Sequence, residues 1–283
     1  MSDTLVDIEN LRIAFRTDEG SFAEAVRGVS FSLGREKLGI VGESGSGKSL
    51  SGRALLGVLP PYARMSVDRM QFDGIDLKTA TPKLRRSLRG GRMGMILQDP
   101  KFSLNPVMTV GSQIVEAIRI GDRRISGPAA KKQALGTLEA VHIREPERVY
   151  RLYPHELSGG MGQRVMIAMM VVREPDLLIA DEPTSALDVT VRTQVLSILD
   201  ELVTRRGMGL IFISHDLNLV SKFCDRVIVM YAGRIVETLR ADRLSEATHP
   251  YTRGLLSCLP SIDGSLEPLP TLQRQASWAE ATP

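Results

Sequence analysis

The chain has 283 residues, with 36 Lys and Arg against 33 Asp and Glu, for a net charge of +3. That length buries one large core or two modest ones, and so small a charge gives no argument for nucleic acid. No apolar run reaches the roughly 18 residues that cross a bilayer, and Met1 to Asn10 lacks the basic and apolar regions of a secretory signal. The cysteines, Cys224 and Cys258, match no metal or redox spacing, so reduced thiols in the cytoplasm are expected.

Leu5 to Phe15 alternates loosely and reads as a strand. A turn at Thr17 to Gly20 leads into a second strand over Ala25 to Leu33. Phe15 offers a flat face for an adenine ring, or else it is a core aromatic of its strand. Leu38 to Val41 is a short apolar run, expected as a buried strand. It ends in Gly42-Glu43-Ser44-Gly45-Ser46-Gly47-Lys48-Ser49, which fits the phosphate-loop pattern G-x-x-x-x-G-K-[ST]. Leu50 to Leu59 then reads as a helix, with only Gly52 and Gly57 against it. Glycines let such a loop wrap closely, and the helix N-terminus favours an anion. In this pattern Lys48 reaches the β- and γ-phosphates and Ser49 holds Mg²⁺.

Met70 to Leu77 reads as a strand running into a turn, and Pro82 to Arg89 as a short basic helix. Met93 to Leu97 is an apolar strand ending at Gln98, and a loop with two prolines follows. Thr109 to Arg119 and Ala129 to Val141 show helical spacing. A third helix starts near Ser158 and carries Val165, Ile167, Met169, Met170 and Val171. Three helices with no strand between them predict a helical insert over about residues 100–172. The α/β pattern then returns with a strand at Leu177 to Ala180, a helix at Val189 to Arg205 and a strand at Gly209 to Ile213. A strand at Val227 to Met230 follows, then a turn, Ile235-Val236, and a short helix after His249-Pro250-Tyr251-Thr252 that ends near Leu259. Residues 261–283 are rich in Pro, Ser and Gly and are expected to be a poorly ordered tail or a strap over the surface.

Asp181 and Glu182 close a strand, at the sheet edge where α/β proteins bind ligands. Beside a phosphate loop, Asp181 is expected to hold Mg²⁺ and Glu182 to polarise the attacking water as a general base. Ser158, an N-cap residue, with Gly159 and Gly160 behind it, makes a second helix N-terminus suited to an anion. It is either a simple capped start or a site serving the nucleotide of another subunit.

The phosphate loop, Gln98, Leu157 to Arg164, Asp181-Glu182, Ser185 to Asp188 and His215 occur in an order that resembles the ATP-binding cassette of ABC transporters. The resemblance covers about residues 4–260. It implies an α/β fold, a P-loop NTPase (RecA-like) core with an antiparallel β subdomain and a helical insert subdomain. It further implies that two cassettes, related or identical, sandwich ATP head to tail between one phosphate loop and the opposite Ser158 helix. By the same resemblance Gln98 senses Mg²⁺ and the attacking water, Asp188 crosses the dimer interface and His215 contacts the γ-phosphate. The implied partners are two transmembrane permease subunits and, indirectly, an extracytoplasmic solute-binding protein. The implied place is peripheral, on the cytoplasmic face of a bacterial inner membrane. Tyr153 to Met161, Ala180 to Thr190 and His249 to Thr252 resemble the dipeptide, oligopeptide and nickel importers, a group that also takes up opines and metal-chelating peptides. Met161 stands where the wider family has glutamine, and the tail has no cysteine cluster for an iron–sulfur site. The rival reading is a soluble cassette ATPase acting on nucleic acid or translation. Such proteins usually carry paired cassettes, a coiled coil or basic extensions, and this sequence shows none of these.

Overall fold

Residues 4–100, 103–185, 187–258 and 278 are described here from a computed structural model. The chain divides into two units, Met1–Ala80 with Ile211–Pro283, and Thr81–Leu210. In the first unit β1 (Val6–Arg16) and β2 (Phe22–Leu33) pair antiparallel across a turn in which the Gly20 N–H donates to Thr17 O. The loose alternation of β1 is the mark of a half-buried strand, with Val6, Ile8, Leu11 and Ile13 facing inward. β3 (Lys37–Val41) leads through the glycine-rich turn into α1 (Lys48–Leu56), two residues earlier than the apolar pattern predicts. β4 (Arg64–Ser66), β5 (Arg69–Phe72) and β6 (Ile75–Asp76) complete a sheet in the order β2-β1-β5-β6, with β4 also on β1.

The second unit begins with α2 (Pro82–Gly91), capped by the Thr81 hydroxyl, and β7 (Met93–Ile96). The helices α3 (Val110–Gly121), α4 (Gly127–Ala140), α5 (Pro146–Arg151) and α6 (Gly159–Val171) follow, with a 3-10 turn at Pro154–Glu156. The expectation of three helices is thus corrected to four, since α5 is too short to show a period. Many of the expected apolar positions are buried, Val110, Ile114 and Ile118 of α3, Leu138 of α4 and Val165 and Ile167 of α6 among them, whereas Met169 and Met170 of α6 are only half-buried. Thr109, Ser126 and Ser158 each accept a backbone N–H at the start of a helix, which sets three of these boundaries. Buried Gln113 of α3 clamps the preceding turn. Its Oε1 accepts from Asn105 N at 2.8 Å, and its Nε2 donates to Asn105 O at 3.1 Å and Met108 O at 3.0 Å. β8 (Leu177–Asp181) runs parallel to β7, and α7 (Val189–Arg206) ends at Gly207 in the left-handed conformation.

β9 (Gly209–Ser214) carries the chain onward. The first unit resumes within it at Ile211 and continues with α8 (Leu217–Phe223), β10 (Arg226–Tyr231), β11 (Arg234–Arg240), a 3-10 stretch at Ala241–Glu246 and α9 (Pro250–Ser257). Here β10 lies parallel to β3 and antiparallel to β11, and β9 flanks β3 on its other side. β3, β9 and β10 are buried almost throughout, which is why they read as unbroken apolar runs, whereas β11 is half-exposed along its length. Gly39 of β3 is required by packing: a Cβ there would sit 2.2 Å from Val220 Cγ1 of α8. Cys224, at the end of α8, is buried and free, and its thiol is pushed up to about 12, first by burial and then by Asp225. Cys258 is at intermediate exposure. The tail expected over 261–283 lies outside the described residues, except Trp278, which is buried.

Candidate functional site

The turn between β3 and α1 is held from several sides. Gly42 has φ 149°, and a Cβ there would lie 2.1 Å from Met230 O of β10. Gly47, the N-cap of α1, has φ 96°, and its Cβ would lie 2.9 Å from Ala25 O of β2. Gly45, at φ 81°, has open space about it and is needed for its conformation alone. Lys48 is buried, and its ammonium donates to Gly42 O at 2.8 Å and Glu43 O at 2.7 Å, with Ser46 Oγ at 3.4 Å. The loop therefore carries one cation at its centre and a helix N-terminus at its end, a combination suited to phosphate. Ser49 follows in the first turn of α1.

One anchor of this loop was not legible in the sequence. The Glu43 N–H donates to the hydroxyl of Tyr251, 208 positions away on α9, at 3.1 Å. Phe15 is half-buried on β1, and its ring centroid lies 5.9 Å from that of Tyr62, which is exposed. The sequence singled out Phe15 and missed Tyr62, which has no strand or helix period around it. His215 is exposed, one residue beyond the last residue of β9. The next residue, Asp216, caps α8 by accepting from Leu219 N at 3.0 Å.

In the second unit β7 and β8 are in parallel register, with Ile96 opposite Ala180. Gln98 and Glu182 each follow two residues later, so both leave the sheet at the same carboxyl edge. Asp181 is the buried last residue of β8. Glu182 adopts φ 49°, a left-handed conformation that costs a residue with a side chain about 1–2 kcal/mol. Its carbonyl accepts from Ser185 N at 3.3 Å and Ser185 Oγ at 3.2 Å. Asp188 is exposed and caps α7, accepting from Val191 N at 3.0 Å.

Ser158 caps α6 by accepting from Met161 N at 3.3 Å. Ser158 and Gly159 are exposed, whereas Gly160 is partly covered by Val191 of α7. Gln98, Pro100, Leu157, Ser158, Gly159 and Gln163 line one cavity of about 260 Å³. The structure thus brings Gln98 together with the Ser158 turn. Among the described residues no cluster of His, Cys, Asp and Glu is able to hold a metal by itself. The Mg²⁺ of a nucleotide site takes one or two protein oxygens besides phosphate, and Ser49 and Asp181 are oxygen donors of that class. Among the described residues no helix is long and apolar enough to cross a membrane.

Comparison with known proteins adds an independent line. A family model described as ABC transporter matches residues 26–185. The dipeptide transport ATP-binding protein DppD of Bacillus subtilis is 44% identical over 264 residues, 92% of this chain and 78% of that protein. The oligopeptide transport ATP-binding protein OppD of the same organism is 46% identical over 266 residues, 93% of this chain and 74% of that one. DppD of Haemophilus influenzae is 46% identical over 271 residues, 95% of this chain and 82% of its own length. Among solved structures, the dimeric ATP-binding cassette MJ0796 with ADP and Pi superposes with a TM-score of 0.74 at 26% identity. That match covers 83% of this chain and 98% of MJ0796. Matched by the family model over more than half its length and by these relatives over nearly all of it, the chain belongs to the ABC transporter family.

Proposed function

We propose that the chain is the ATP-binding and ATP-hydrolysing subunit of a bacterial ABC importer for peptides. The observation that carries this is the formed phosphate loop, with the Lys48 ammonium at its centre, in a chain 46% identical to an oligopeptide transport ATP-binding protein. The loop amides and Lys48 bind the β- and γ-phosphates, and Phe15 supports the adenine ring. Ser49, Asp181 and Gln98 hold Mg²⁺, which neutralises phosphate charge when bound. Glu182 orients a water and takes its proton, and His215 contacts the γ-phosphate. Ser158, Gly159 and Gly160 serve the nucleotide of a second cassette, and Asp188 lies at that interface. Closure of the pair drives two permease subunits, supplied with cargo by a solute-binding protein. The chain itself sits peripherally on the cytoplasmic face of the membrane. The exposed start of α6 supports the two-cassette reading, because a buried start would have no access to a neighbour.

Replacing Glu182 by Gln tests the assignment of the base. Hydrolysis is expected to fall by about 10²- to 10⁴-fold, the usual worth of a general base, while ATP-bound dimers accumulate on a sizing column. Undiminished turnover would remove Glu182 from the mechanism.

A further inference from the structure

We propose that Tyr251 is a positioning residue for the phosphate loop: its buried hydroxyl fixes Glu43, and through Glu43 the Lys48 ammonium. The inference rests on the nucleotide reading of that loop and adds a determinant of affinity from the far end of the chain.

Tyr251 is fully buried, among the largest side chains with no exposure. Burying a phenol is favourable only if its hydroxyl finds a partner. One partner is the Glu43 N–H, 3.1 Å away. Glu43 is otherwise tied to the loop through its carbonyl, which accepts from Lys48 Nζ at 2.7 Å and from Ser46 N at 3.2 Å. One residue therefore joins the tyrosine hydroxyl on one side to the cation on the other. The Glu43 N–H is also spent on protein, which leaves phosphate binding to the amides further along the loop.

Tyr251 is in turn held rigidly. Its ring centroid lies 4.4 Å from that of Tyr231, the last residue of β10, and 6.0 Å from that of Trp278. Tyr231 and Trp278 lie 6.1 Å apart, so the three rings form one cluster. Tyr251 N donates to His249 Nδ1 at 3.2 Å at the start of α9. Glu237 of β11 fixes the preceding turn, with its Oε1 accepting from Thr248 N at 2.7 Å, Thr248 Oγ1 at 3.0 Å and His249 N at 3.3 Å. Meanwhile the strand that ends in Tyr231 presents Met230 O against Gly42. The first two residues of the loop are thus braced by β10 and α9.

Tyr251→Phe keeps the ring cluster and removes only the hydroxyl. In the full chain with Mg²⁺, binding of fluorescent ATP and ADP analogues should each weaken about fivefold, the usual worth of one hydrogen bond. At saturating ATP, kcat should stay within about twofold of the parent, because the loss falls on binding. A lowered melting temperature with both affinities unchanged would overturn the inference and leave Tyr251 a core residue. Lys48→Ala is the reference. If it abolishes nucleotide binding while Tyr251→Phe binds normally, only the role of Tyr251 falls. If Lys48→Ala still binds nucleotide, the reading of the loop falls, and this inference with it.

Discussion

The phosphate loop and the turn at Ser158 are both glycine-rich and both open a helix, yet they are held in different ways. The loop is enclosed: Gly42 abuts a backbone carbonyl, Lys48 is buried, and Tyr251 reaches in from α9. The Ser158 turn rests mainly on its own cap, and a Cβ on Gly159 would meet nothing within 4 Å. A site finished within one chain is rigid and crowded. Under the proposed pairing of cassettes a surface that serves a neighbour must be left open, as Gly159 is, whereas Gly160 is required by the chain's own packing, since a Cβ there would sit 2.6 Å from Val191 Cγ1.

The sharpest test of this contrast pairs two glycines. Gly42→Ala must displace β10 or the loop, so it should cost about 2–3 kcal/mol and greatly weaken nucleotide binding. Gly159→Ala should change stability by less than about 0.5 kcal/mol in denaturant unfolding. Equal losses from the two would erase the distinction. Ser158→Ala should come next, costing about 1 kcal/mol for the lost cap. Nucleotide affinity of a single chain should be untouched, whereas hydrolysis by the paired cassettes should drop. A parallel fall in single-chain affinity would place the turn within its own nucleotide site.

The smallest effect concerns the enclosed side. The Cys224 thiol, pushed up to about 12 by burial and by Asp225, stays protonated at pH 8 and lies beneath β3. Its folded value lies above the unfolded one, so raising the pH through that interval favours the unfolded chain. At pH 8 a thiol reagent should modify Cys224 only as fast as the first unit opens. Labelling of Cys224 at the rate of a model thiol would show that the loop's scaffold is looser than its packing suggests.

How much of this was readable beforehand depended on the range of the interaction. The strand before the phosphate loop, the loop and its helix are local, and their residues announce them. The caps at Thr109, Ser158 and Asp188 are equally local, since each bonds a backbone N–H three residues on. Helix α5 and helix α8 escaped because six and seven residues span too few turns to show a period. Strand β4 escaped because all three of its residues are exposed. His249 to Thr252 stood out as a motif, but nothing in the letters says that Tyr251 meets Glu43. That contact is made only once β10, β11 and α9 have been assembled around β3. The left-handed backbone of Glu182 was unreadable for a related reason: propensity assigns such a conformation to glycine or asparagine, and tertiary context imposes it here.

The Gln113 clamp carries one more consequence. An amide that both gives and takes at Asn105, and also holds Met108, leaves that stretch of backbone no independent motion. Residues 105–108 and the start of α3 are therefore expected to shift together, so a displacement of this turn would be passed to the helix.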